Sequence, residues 1–145
     1  MKKIVFLSFI WACVCASLSA QMKWYNPQAA DFPVVQNQGF TDEMGKSFAR
    51  LPDRAKEKVR PAIWNLSRNS SGLSIHFYSN APELQVRYGV TGRFAMEHMP
   101  ATGVSGLDLY AINNSGEWMF VAGNYQFGDT VTYKYGGMSQ DSEYE

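Results

Sequence analysis

From Pro61 onward the side chains of this chain repeat with a period of two. Leu73, Ile75 and Phe77 alternate with Ser74, His76 and Tyr78, and Leu84, Val86, Tyr88 and Val90 alternate with Glu83, Gln85, Arg87 and Gly89. A period of two belongs to an extended strand with one face buried and the other wet. Ala62, Trp64 and Leu66 set against Ile63, Asn65 and Ser67 carry the same reading upstream, and further strands are expected over 106–112, 117–122 and 130–135. Ser70-Ser71-Gly72 and Ser79-Asn80-Ala81-Pro82 separate the runs, and Asn113-Asn114-Ser115-Gly116 predicts a hairpin turn, since Asn and Gly tolerate positive φ. Strict alternation repeated at short intervals predicts an all-β domain, an antiparallel, jelly-roll-like β-sandwich. The order of its strands is not legible. Asp53 to Arg60 is the one charge-dense stretch; bracketed by Pro52 and Pro61, it predicts a solvated loop.

The first twenty residues read as an address. Lys2 and Lys3 precede the apolar or small run from Ile4 to Ala16, and Ser17-Leu18-Ser19-Ala20 supplies small residues for cleavage after Ala20. Thirteen apolar residues fall short of the roughly 20 a bilayer span needs. The expectation is a helical signal peptide over residues 1–20, secretion or export to a periplasm, and a mature domain over 21–145. Trp11 and Val14 are bulky where lipid attachment to Cys13 or Cys15 would want small residues, so a lipoprotein is the weaker reading.

Cys13 and Cys15 are the only cysteines, so the mature domain relies on its core alone. Of 13 Lys and Arg, two lie in the signal, leaving 11 against 13 Asp and Glu, a charge of −2. That balance favours neither nucleic acid nor an anionic membrane surface.

Motifs that resemble catalytic blocks take plainer readings. Gly103-Val104-Ser105-Gly106 lacks the fifth-position glycine of a nucleophile elbow and leads into a strand, whereas the elbow leads from strand to helix. Gly128-Asp129-Thr130 reads as a hairpin opening a strand. His76 and His98 are the only imidazoles; with no cysteine beyond residue 20 and no clustered carboxylates, no metal site or cofactor is expected. His76 is expected on a solvent-facing strand, and His98 in a hydrogen-bonded loop. Asp108 alternates with Leu107 and Leu109 and so points away from their face; it is expected to anchor a loop through backbone N–H groups or to pair with Arg60, Arg68 or Arg93. Trp64, Tyr110, Trp118 and Tyr125 supply aromatic faces on which sugar rings can stack, although core or interdomain contact is the commoner use of such residues. No catalytic residue is assigned; Trp64, His98, Asp108, Tyr110 and Trp118 are the candidates for ligand or interdomain contact.

Arg50-Leu51-Pro52, Val59-Arg60-Pro61-Ala62-Ile63-Trp64-Asn65-Leu66-Ser67, Ser71-Gly72-Leu73 and the run from Met99 through Tyr110 occur in one order and spacing. In these segments the chain resembles the N-terminal β-sandwich domain of secreted SGNH/GDSL-type esterases, with Gly106-Leu107-Asp108-Leu109-Tyr110 as its signature. The resemblance implies an accessory, non-catalytic role beside a C-terminal α/β catalytic domain that carries the serine nucleophile and the His-Asp pair; none of those positions has a counterpart here. It also implies that Ser142 to Glu145 begins a strand which relatives continue, so that the sandwich ends early with an unpaired edge. The reading from another class is a stand-alone carbohydrate-binding module.

Overall fold

Alternation does build the core. In a computed structural model that describes residues 21–139 and 142–145, β8 (Val131–Gly136) turns Val131, Tyr133 and Tyr135 inward and Thr132 and Lys134 outward. The signal-peptide expectation for residues 1–20 lies outside the described residues. β8 pairs on one side with β4 (Glu83–Tyr88) and on the other with β7 (Asn124–Gln126), giving a three-stranded antiparallel sheet. A four-stranded sheet faces it, in the order β3 (Phe77–Ser79), β9 (Ser142–Tyr144), β5 (Leu109–Ile112), β6 (Trp118–Val121). All its pairs are antiparallel.

The core lies between these sheets. Val131 is 0% exposed, Tyr144 1% and Leu109 2%, and Phe77, Leu84, Val86, Tyr88, Ala111 and Val121 pack around them from both sides. The chain crosses between the two sheets after β3, β4, β6 and β8. That repeated crossing is the jelly-roll-like sandwich the alternation predicts. A small sheet of β1 (Val35–Gln36) and β2 (Ser74–Ile75) lies beside it.

The Asn113–Gly116 hairpin is present: Asn113 Oδ1 accepts from the Ser115 and Glu117 N–H groups, and Gly116 takes φ +80°. Gly128 and Asp129 lie in the connection from β7 to β8, as hairpin chemistry predicts.

Three local expectations are corrected. Pro61–Ser67 is a helix, α2, preceded in the chain by the one-turn α1 (Thr41–Met44). Pro61 at the first helical turn presets φ, the Arg60 carbonyl accepts from the Trp64 N–H, and Ser67 Oγ donates to the Trp64 carbonyl at 2.7 Å. Ile63, on what would have been the wet face of a strand, already spoiled the alternation. The expected strand over 106–112 starts only at Leu109, because the one-turn helix α3 (Ala101–Ser105) precedes it. The single run 73–78 divides at His76 into β2 and β3, which belong to different sheets. Within the charged stretch, Asp53–Ala55 forms a turn of 3-10 helix, and Arg54 Nη2 donates to Glu43 Oε1 at 2.8 Å.

Ser142 to Glu145 differs from expectation in place. β9 is inserted between β3 and β5, paired Phe77↔Tyr144 on one side and Ala111↔Tyr144 on the other. It fills the middle of its sheet, whose edges are β3 and β6.

Candidate functional site

The two outer faces of the sandwich differ in chemistry. On the four-stranded sheet the residues alternating with Phe77, Tyr144, Leu109 and Val121 are Tyr78, Glu143, Tyr110 and Phe120. Trp118 and Ile112 extend this face by one pair. Tyr78 is 74% exposed and Phe120 59%, and Tyr110 and Trp118 are also exposed. Tyr110 meets Phe120 edge to face at 5.9 Å between ring centroids, and His76 lies 5.8 Å from Trp118. Four exposed aromatic rings around two carboxylates, Glu143 and Glu145, form a contiguous surface of the kind that soluble domains reserve for contact.

The carboxylate of Glu145 accepts hydrogen bonds from the Ser74 hydroxyl and from His76 Nε2, the latter at 3.0 Å. Those two bonds hold its carboxyl below the usual glutamate range, the Ser74 bond contributing most. A hydroxyl, an imidazole and an acid therefore meet, in the wrong order for hydrolysis. A serine nucleophile needs the imidazole between hydroxyl and acid, where it can take the proton; here the carboxylate stands between. The cluster ties β2, β3 and β9 together.

The outer face of the three-stranded sheet is polar throughout. Gln85, Lys134 and Asn124 lie side by side across the strands, as do Arg87, Thr132 and Gln126. The Arg87 guanidinium lies 4.1 Å from the centre of the Trp24 ring and donates to Gln85 Oε1 at 3.1 Å.

Tyr110 and Trp118, among the five sequence candidates, come together on the aromatic face. The other three do not join them. Trp64, half-buried on α2, stacks under the Arg68 guanidinium at 4.6 Å. His98 is exposed in the tight Met96–Met99 turn and makes no side-chain hydrogen bond among the described residues, against the expectation of a bonded loop. Asp108 is exposed and forms no ion pair with Arg60, Arg68 or Arg93; Arg68 lies 3.8 Å from Asp53 instead. Phe120, Tyr78, Glu143 and Glu145 were missed. The alternation of Trp118 with Phe120 was the available signal for the first of these; the others needed the strand order.

A family model described as "GxDLY: N-terminus of Esterase_SGNH_hydro-type" matches residues 22–145. The chain belongs to the GxDLY family. Neither the curated proteins nor the solved structures provide a match to it.

The five GxDLY positions here are Gly106 to Tyr110, and each has a physical task in the sandwich. A Cβ on Gly106 would stand 2.1 Å from the Thr102 carbonyl oxygen, so only glycine lets α3 end against the start of β5. Ser105, just before it, is buried; its Oγ points to the Arg93 carbonyl at 3.4 Å, and its own carbonyl accepts from the Tyr88 hydroxyl at 2.6 Å. The resemblance to a nucleophile elbow ends there, since helix leads to strand. Leu107 and Leu109 enter the core. Asp108 stays outside, where its charge, after burial and Tyr133, helps push the Tyr135 phenol up to about 12. Tyr110 delivers the last letter of the motif to the aromatic face.

Proposed function

We propose that this GxDLY domain is the accessory N-terminal part of a secreted SGNH-type ester hydrolase, itself non-catalytic, and that the outer face of its four-stranded sheet packs on the catalytic domain and shapes substrate access there. Export through a cleaved signal peptide at residues 1–20 is part of this reading. The observation that carries it is the aromatic face formed by Tyr78, Tyr110, Trp118 and Phe120. Left in water, that face gives up roughly 25 cal/mol for every Å² of apolar area that a partner domain could cover. Glu143 and Glu145 set within it favour a partner surface that carries arginine or lysine. The family description, the N-terminus of SGNH-type esterases, supports an SGNH-type catalytic domain as that partner.

The test is association in trans with an SGNH-type catalytic domain expressed separately from a GxDLY esterase. Binding should weaken at least tenfold in the double variant Trp118→Ala, Phe120→Ala. Unchanged binding would remove the aromatic face from the interface. Hydrolysis of p-nitrophenyl acetate by this chain alone, lost on Ser105→Ala or Thr130→Ala, would overturn the non-catalytic reading.

A further inference from the structure

The outer face of the three-stranded sheet carries a groove of about 260 Å³ lined by Gln85, Arg87, Gln126, Thr130, Thr132 and Lys134. We infer that this groove binds an acidic glycan, a pyranose chain bearing carboxylate or sulfate groups.

Three features of the lining point to that chemistry. Its two ionised side chains are both cations on neighbouring strands, and neither Arg87 nor Lys134 has a carboxylate partner within salt-bridge distance among the described residues. Glu83, the acid on β4, borders the adjoining hollow rather than this one, and Asp129 precedes Thr130 without lining it. An anion entering between the two cations gains from both and displaces no internal ion pair. The remaining four lining residues are amides and hydroxyls, which can donate to and accept from sugar hydroxyls. They come from β4, β8 and the β7–β8 segment, so successive sugars would lie across the strands.

The third feature is preorganisation. Arg87 is held between the Trp24 ring and Gln85 Oε1, so its planar fork is already oriented before a ligand arrives. The guanidinium covers one face of the Trp24 ring, and the residue remains 47% exposed, which leaves indole surface for the apolar face of a pyranose. A nucleic acid fits less well. It would need a longer basic track and several stacking rings, whereas this face has one tryptophan and residues 21–145 carry a net charge of −2.

The inference is independent of the proposed interdomain face, which lies on the other sheet. The experiment is affinity electrophoresis of the full-length protein in native gels containing polygalacturonate, chondroitin sulfate, neutral pullulan or single-stranded DNA. Retardation is expected in at least one of the two acidic glycans and not in pullulan; retardation in polygalacturonate shows that carboxylate suffices, and retardation in chondroitin sulfate alone shows that it does not. Arg87→Gln with Lys134→Gln should weaken that retardation at least tenfold, and Gln126→Glu, an exposed substitution that leaves both cations in place, should weaken it severalfold. The Trp118→Ala, Phe120→Ala variant should migrate as the parent, so that this outcome stands or falls apart from the interdomain reading. The inference is overturned by an absence of retardation in both acidic glycans, by equal retardation in pullulan or DNA, or by retardation that the groove substitutions leave unchanged.

Discussion

Tyr110 and Glu145 exchange both of their backbone hydrogen bonds, N–H to carbonyl at 2.8 Å in one direction and 3.0 Å in the other. The tyrosine of the GxDLY motif is thereby paired directly with the end of β9. The Glu145 side chain carries the connection onward to Ser74 and His76. Motif strand, central strand and edge strand form one continuous hydrogen-bonded set.

Tyr144 should be the most costly residue of that set to truncate. It is 1% exposed, stacks on Phe77 with ring centroids 5.4 Å apart, and donates its hydroxyl to the Ser139 carbonyl at 2.9 Å. Tyr144→Ala should lose about 3–5 kcal/mol through the cavity it leaves. Tyr144→Phe removes only the hydroxyl bond and should lose about 1 kcal/mol. Urea unfolding followed by tryptophan fluorescence distinguishes the two.

Acid should loosen the same region through Glu145. Its carboxyl is held below the ordinary value of 4.5 by Ser74 and then His76. A depressed carboxyl contributes stability that is complete above the unfolded value and disappears as pH falls through the folded one. The parent protein should therefore lose stability below pH 4.5, and Glu145→Gln should lose less over that interval. Thermal midpoints measured from pH 6 to pH 3 would show the difference in slope.

The alkaline side is governed by the core tyrosines. Burial, ahead of the fields of Tyr133 and Asp108, raises Tyr135 from 10.0 to about 12, and burial likewise raises Tyr88. A raised phenol contributes stability that is full below the unfolded value and is lost as pH climbs toward the folded one. Stability should fall between pH 10 and 12, and Tyr135→Phe should flatten that fall. Phenolate absorbance near 295 nm, recorded with far-ultraviolet circular dichroism, should show these tyrosines ionising together with unfolding.

Gly106 offers a steric test of the motif. Gly106→Ala places a methyl against the Thr102 carbonyl oxygen and should destabilise by about 1–3 kcal/mol, the range for overpacking. Gly92→Ala meets nothing within 4 Å and should change stability by less than about 0.5 kcal/mol. Chemical denaturation of the pair would separate a packing requirement from a general effect of glycine.

The parts of this fold that were legible are those where burial is one-sided. β4 and β8 each carry apolar residues on one face only, and each appears where the alternation put it. Over Pro61–Ser67, where both faces hold apolar residues, the period fails. Pro61–Ser67 became a helix through a proline start and a serine back-bond, both local terms that a period of two does not register. The site was legible in part for a different reason. Tyr110 and Trp118 announce themselves as outward aromatics on their own strands, but the alternation cannot say which strands are neighbours. Glu143, Glu145 and His76 join the face only because β9 lies between β3 and β5, and the register of non-adjacent segments is a tertiary fact.

The central position of β9 bears on the order in which the domain can assemble during synthesis. β4, β7 and β8 are complete once residue 136 has been made, so one sheet can pair while the chain is still growing. β3 and β5 must instead wait with facing backbone groups unpartnered until residues 142–145 emerge to join them. Until then the nascent half-sandwich is open to any extended segment that can insert, which makes a holding chaperone most valuable over this interval.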